Sequence, residues 1–165
     1  MCSCKQGKIQ GVETTEWGPH FWSVLHSTSL KAGTAVLRAQ AEETRTWTRV
    51  FETTGHAIPC PDCRTHYKEW ILTHPFKDMH TLPYGERGDW IRHWWYDLHA
   101  DVNRRLGKEN LDYADLACRY KDVNFRFEMA TINKYMNIAT HADQVKIMEY
   151  ISWKKHMTIL NSLYY

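Results

Sequence analysis

"GDWIRHWWYDLHADVNRRLG", residues 88–107, is the stretch that decides the fold class. Ile91, Trp94, Trp95, Leu98, Val102 and Leu106 recur with the spacing that gathers side chains on one stripe of an α-helix. Asp89 suits the N-cap, because its carboxylate accepts from an unpaired backbone N–H of the first turn. Gly107 suits the C′ position, where a left-handed residue ends the helix. A helix with one apolar stripe must bury that stripe against other elements.

The same periodicity continues on both sides. Upstream, Phe21, Trp22, Leu25, Ser29 and Leu30 mark a helix after Gly18-Pro19, with Pro19 in its first turn and Gly33 as its stop. Leu37, Ala41, Trp47, Val50, Phe51 and Thr54 predict a second helix from Val36, closed by Gly55. A third begins at Cys60 and Cys63, runs to Thr73 and stops before Pro75. Downstream, residues 112–120 predict a short helix. From Asp122 two more follow: one through Phe125, Met129, Ile132 and Met136, the other through Val145, Met148, Ile151, Ile159, Leu160 and Leu163. Thr140 with Asp143 resembles a capping box opening the last. No Asn-Gly hairpin, alternating strand or repeat occurs. The expected fold is all-α: a four-helix bundle with a short fifth helix, plus a helical C-terminal extension. Residues 1–15 read as a flexible tail, 16–121 as the domain, and 122–165 as an extension packed on the core or at a dimer interface.

The 165 residues fit one domain, and 43% hydrophobic content is enough for a core. With 21 basic and 19 acidic residues the net charge is +2, which gives no reason to expect nucleic acid or an acidic membrane as the main partner. No apolar run approaches the roughly 20 residues of a bilayer span. The N-terminus lacks a secretory apolar region and the Arg and Ser bias of a transit peptide, so a cytosolic or nuclear location is expected. Eight Trp and nine Tyr are mostly core fillers, and such rings also wall flat cofactors.

Five cysteines, Cys2, Cys4, Cys60, Cys63 and Cys118, are too few and odd in number for the framework of a small secreted domain. For "HAIPCPDCRTHYKEW", residues 56–70, several readings stand. Zinc would take Cys60, Cys63 and His66 with His56 as a fourth ligand, but a structural site normally brings a second ligand pair, and none follows. Haem attachment needs His where Arg64 stands, and a thioredoxin-like site needs a βαβ context. Inert buried thiols are a further alternative. Helix placement favours a redox pair. Pro61 fits the first turn, which sets Cys60 at the N-cap and Cys63 one turn on, close enough for a disulfide. The helix dipole and Arg64 favour a thiolate there. No Gly-rich nicotinamide motif and no Walker motif is present to name the electron acceptor.

Three segments together resemble the Erv/ALR family of flavin-linked sulfhydryl oxidases. "WGPHFWSVLHSTS" is similar to the opening W-G-P-x-x-W-x-x-L-H helix, "PCPDCRTHY" to the active-site C-x-x-C-x-x-H-[FY], and "HADVNRRLGK" to H-N-x-V-N-x-x-L-G-K. Order and spacing make the set specific, from about Trp17 to Tyr120. The resemblance implies a bundle holding FAD at its mouth, usually as a homodimer. It implies that Cys60 and Cys63 form the disulfide beside the flavin, Cys60 meeting the incoming thiol and Cys63 facing the ring. Trp17, Gly18, His20, Trp22 and His26 would contribute from the first helix, and His66 from the third. Trp95, His99, Val102, Asn103, Leu106 and Lys108 would complete the site, with the adenine and phosphates held at the His99–Lys108 end.

Two departures stand out. Ala100 replaces the usual Asn, and no cysteine follows Cys118 to make the further disulfide of many members; Cys118 is expected to be buried, or paired with an N-terminal cysteine across a dimer. Cys2 and Cys4 are candidates for a shuttle pair carrying oxidation from protein thiols to the inner disulfide, with O2 as final acceptor and H2O2 as product. The domain and its extension also look like oxidases of large cytoplasmic DNA viruses, which implies virion-protein substrates and a location in the host cytoplasm or virion. The reading from a different class is a zinc-binding or helical scaffold module.

Overall fold

The computed structural model describes residues 10–164, so Cys2 and Cys4 lie outside the described residues. The Glu13 N–H donates to the Glu16 carboxylate at 2.8 Å, and this local cap opens helix α1 (Thr14–Ser29) ahead of the Gly18-Pro19 start read from the sequence. Pro19 sits inside α1 because the carbonyl it leaves without a donor, that of Thr15, belongs to an exposed residue that water serves. One 3₁₀ turn (Leu37–Ala39) leads into α2 (Gln40–Ala57), which runs through Gly55 instead of ending there. The reason is tertiary: a Cβ on Gly55 would lie 2.6 Å from Tyr67 Cδ1, so the glycine lets this tyrosine of the next helix close on α2.

Helix α3 (Pro61–Thr73) begins and ends as its sequence predicts, with Cys60 as N-cap. Helix α4 (Tyr84–Arg105) starts a turn earlier than Asp89 and carries Gly85 and Gly88 inside it. Gly88 is pressed on the Ala32 carbonyl, where a Cβ would come within 2.1 Å of the oxygen. Gly107 takes φ +66° just past the helix, the left-handed C′ residue expected. After α5 (Leu116–Tyr120) come α6 (Phe125–His141), capped by the Asn124 side chain, and α7 (Ile147–Leu163). The capping box expected at Thr140 and Asp143 is not formed. Thr140 Oγ1 donates back to the Met136 carbonyl at 2.8 Å, Asp143 turns the chain at φ +55°, and α7 opens only at Ile147.

The described residues form seven α-helices and no strand, as the all-α reading expects. Helix α1 packs on α4, α5 and α6, and α2 packs on α3 and α7. The last two helices therefore lie along the first two and share their core. Trp153 of α7 stacks on Phe21 of α1 at 4.4 Å, and its indole N–H donates to Thr54 of α2 at 3.0 Å. Phe51 lies between the parallel rings of Phe76 and Trp95, at 5.4 and 5.1 Å. At the far end, buried Glu43 accepts from Gly33 N–H at 2.8 Å, from Tyr164 O–H at 2.6 Å and from Tyr84 O–H, so the burial of its carboxylate is matched by donors from three segments.

Candidate active site

The first turn of α3 carries the Cys60–Cys63 disulfide, with Cα atoms 5.2 Å apart. Pro61 at N1 fixes the backbone entry, and Cys60 Sγ accepts from the Cys63 N–H at 3.2 Å. Both cysteines are half-buried, so a partner thiol has access without the pair being free in water. Arg64, next to Cys63 in the chain, gives its guanidinium to two backbone carbonyls. Its Nε donates to the Ile58 carbonyl at 2.6 Å and its Nη2 to the carbonyl of Gln144, in the α6–α7 turn. The guanidinium thus staples the loop leading to Cys60 against the C-terminal helices.

His66, one turn after Cys63, is buried, and its Nε2 lies 2.7 Å from Asp101 Oδ2 on α4. Of the residues a zinc site would need, the two cysteines are joined to each other, His66 faces Asp101, and exposed His56 stands 4.0 Å from Glu149. No group of three His, Cys, Asp or Glu among the described residues is placed to hold a metal ion.

A second cluster forms where α1, α4 and α5 meet. His26 Nε2 and His99 Nδ1 share a hydrogen bond of 2.8 Å. The Trp22 ring lies parallel to His99 at 4.0 Å, and Tyr120 packs on His26 at 4.7 Å. Burial, and then the neighbouring His99, push His26 down to about 3; burial, and then the charge of Lys108, push His99 down to about 4. Both imidazoles are neutral near pH 7. His26 Nδ1 and Trp95 Nε1 are buried without a partner. A cleft beside the pair is lined by His26, Tyr96, His99, Ala100, Asn103 and Tyr120, among others. Ala100, the departure from the family pattern, thus sits in the cleft wall.

The remaining sequence candidates divide. Val102 packs against the core at half burial, and the Lys108 N–H donates to the Asn103 carbonyl at 2.9 Å, folding the α4 end back on itself. Leu106 is exposed, and Gly18 has open space where a side chain would be. Trp17 is buried edge-on to Phe21. His20 is not brought to the cluster. Its Nδ1 pairs with Glu128 at 2.6 Å and its ring stacks on Tyr135, both on α6. Cys118 is exposed, correcting the expectation of a buried thiol. Sequence reasoning missed Tyr96 and Tyr120, which no local pattern marks, and Asp101, whose signal was only its place two residues after His99.

The Erv1/Alr family model matches residues 19–125, from Pro19 in α1 to the first residue of α6. The chain belongs to the Erv1/Alr family. No curated protein and no solved structure gives a match. This is a family of FAD-linked sulfhydryl oxidases, and its span in this chain holds both the disulfide and the histidine cluster. The cluster fits such a cofactor in kind. The rings of Trp22, His99 and Tyr120 suit a planar heterocycle, and the buried, unpaired His26 Nδ1 suits a group rich in ring nitrogens and carbonyls; Trp95, by contrast, is buried on Phe51 and Trp94. Helices α6 and α7 lie beyond the matched span. No described helix is long and apolar enough to cross a membrane.

Proposed function

We propose that this Erv1/Alr protein is a thiol oxidase that forms disulfides in substrate proteins through Cys60 and Cys63. The observation that carries the reading is the half-buried disulfide at the helix N-terminus, three residues from a buried histidine, inside the matched span. A substrate thiolate attacks Cys60 Sγ; the Cys60–Cys63 bond breaks, a mixed disulfide forms, and Cys63 leaves as a thiolate. The second substrate thiol loses its proton and attacks the substrate sulfur of that mixed disulfide, releasing Cys60. The substrate leaves oxidised, and two electrons remain on the Cys60/Cys63 dithiol.

FAD, when bound, supplies the acceptor that reoxidises this dithiol and passes the electrons to O2, giving H2O2. Trp22, His26, His66, Trp95, His99, Val102 and Asn103 are assigned to its site, with Trp17, Gly18, Leu106 and Lys108 at its margins. His20 is left out, because Glu128 and Tyr135 engage it. The neutral His26–His99 pair offers one donor and one acceptor to uncharged ring edges without drawing a counter-ion into the core. Cys2 and Cys4 serve as the shuttle pair. A homodimer, if formed, uses faces other than those of α1 and α2 that the chain's own α6 and α7 cover. Virion proteins in the host cytoplasm are the proposed substrates, resting on the likeness to oxidases of large DNA viruses.

The absorbance spectrum of the purified protein tests the core of this. Flavin bands are expected; a colourless protein that FAD does not reconstitute overturns the reading. Cys63→Ser abolishes oxygen uptake with a dithiol, and retained turnover refutes its role. One equivalent of zinc per chain in place of flavin would favour a zinc-binding module instead.

A further inference from the structure

Midway along α3, His66 Nε2 faces Asp101 Oδ2 on α4 at 2.7 Å. His66 is buried and follows Cys63 by three residues, so the two side chains are neighbours on the helix surface. We propose that Asp101 is a positioning residue, holding the His66 ring beside Cys63, where it stabilises the thiolate that leaves when the disulfide opens. This rests on the disulfide-exchange reading above.

The charges around the pair support it. Asp101 also accepts from Arg104 Nη1 at 2.7 Å on its other oxygen, with Arg105 Nε at 3.4 Å. Burial works to raise the Asp101 carboxyl, but the hydrogen bond and charge of His66, with Arg105 and Arg104, outweigh it and hold the group below the usual carboxylate range. Asp101 is therefore an anion at any pH where thiols react. Arg105 is shared with Glu69 at 3.6 Å, and both arginines are mostly exposed, so their pull on His66 is screened. Asp62, exposed in the first turn of α3, opposes a thiolate, while Arg64 stays charged beside the turn with its guanidinium on two neutral carbonyls. The helix N-terminus and the His66–Asp101 pair add to the groups that favour charge on Cys63. In the step itself the Sγ–Sγ bond breaks, Cys60 bonds to the substrate sulfur, and Cys63 departs with the electron pair beside the His66 ring. Asp101 touches neither sulfur.

The test is the pH dependence of iodoacetamide alkylation of Cys63 in the full-length Cys60→Ser protein, a readout independent of flavin turnover. Adding Asp101→Asn is expected to move the profile to higher pH and slow alkylation near pH 6.5 by about three- to tenfold. Asp101→Glu restores most of the rate. In a His66→Gln background, Asp101→Asn has no further effect. An unmoved profile overturns the proposal, and so does an equal loss with His66 absent. If Asp101→Asn fails to fold, the His66→Gln profile and the Asp101→Glu rescue decide. A flavin-free protein that still shows the Asp101-dependent profile would sink the oxidase reading alone, and a flavin-loaded oxidase with an unmoved profile would sink only this inference.

Discussion

The Arg64 guanidinium donates to the backbone carbonyl of Gln144, and through that contact the redox turn leans on the C-terminal helices. Gln144 passes the connection on. Its side chain accepts from the Val12 N–H at 2.7 Å and donates to the Val12 carbonyl at 3.2 Å. The chain leading to the cysteine-bearing N-terminus is thus anchored one residue contact away from the helix that carries Cys60 and Cys63. Arg64→Ala leaves the Ile58 and Gln144 carbonyls without their donor, at a cost of about 1–3 kcal/mol. For a chain of this size each kcal/mol lowers the thermal midpoint by about 2–4 °C. Arg64→Lys should recover little, because an ammonium lacks the planar fork that spans two carbonyls. A thermal melt of both variants checks this; an Arg64→Ala midpoint equal to wild type contradicts it.

Helices α6 and α7 should be indispensable although the family match ends at residue 125. Ile132, Met136, Trp153, Met157 and Leu160 are all fully buried against α1 and α2. Each such side chain contributes about 1.5–3 kcal/mol by burial. Five together, about 7.5–15 kcal/mol, are comparable to the roughly 5–15 kcal/mol of net stability typical of a domain. A fragment ending at Asn124 is therefore expected to be unfolded or aggregated by circular dichroism and size-exclusion chromatography. A monomeric fragment with a cooperative melt would show the matched span to be self-sufficient.

What the sequence revealed of all this follows the range of each interaction. The start of α3 was legible because Cys60 and Pro61 act on their own turn, and the end of α4 because Gly107 needs only its own φ. Gly55 and Asp89 misled, read as a helix end and an N-cap, while Gly55 and Gly88 inside the helices make room for Tyr67 and the Ala32 carbonyl, distant in sequence. Thr140 and Asp143 have the letters of a capping box, but the hydroxyl bonds backward within α6. The family motifs located Trp22, His26 and His99, which the fold does gather. They did not reveal His20 turning to Glu128, because α6 lies outside the motifs. Asp101, Gln144 and Tyr120 became visible only when α3, α4, α5 and the last turn were brought together.

Gly85 and Gly88 share the first turns of α4 but should respond to alanine with opposite signs. At Gly88 the new Cβ would meet backbone, the Ala32 oxygen at 2.1 Å, and backbone cannot swing aside as a side-chain end does. Overpacking of this kind costs about 1–3 kcal/mol or more. At Gly85 no heavy atom lies within 4 Å, and alanine only gains helix propensity, up to about 0.5–1 kcal/mol. Urea unfolding of the two variants reads the difference directly. A stabilised Gly88→Ala protein would mean that α4 and the turn after α1, at Ala32, are less closely apposed than this structure has them.

The His26–His99 pair gives the fold a definite response to acid. An unfolded histidine titrates near 6.5, whereas burial holds His26 near about 3 and His99 near about 4. Below about pH 6.5 the unfolded chain binds protons that the folded pair refuses, so stability must rise with pH through this window. The contribution of the neutral pair is complete above about pH 7 and is lost as the pH falls from about 6.5 toward 4. The loss is at most about 1.4 kcal/mol per pH unit for each histidine. Asp101 works in a lower window: its depressed carboxyl contributes above the usual aspartate range and loses that contribution only as the pH falls below it. Measuring unfolding free energy at several pH values between 7.5 and 5 therefore separates the histidines, among them His156, which burial also pushes down, from Asp101. His99→Gln, which removes one of the two, should lie lower overall but fall less steeply across that range. A wild-type protein equally stable at pH 7.5 and pH 5 would show that these imidazoles are not kept neutral by burial.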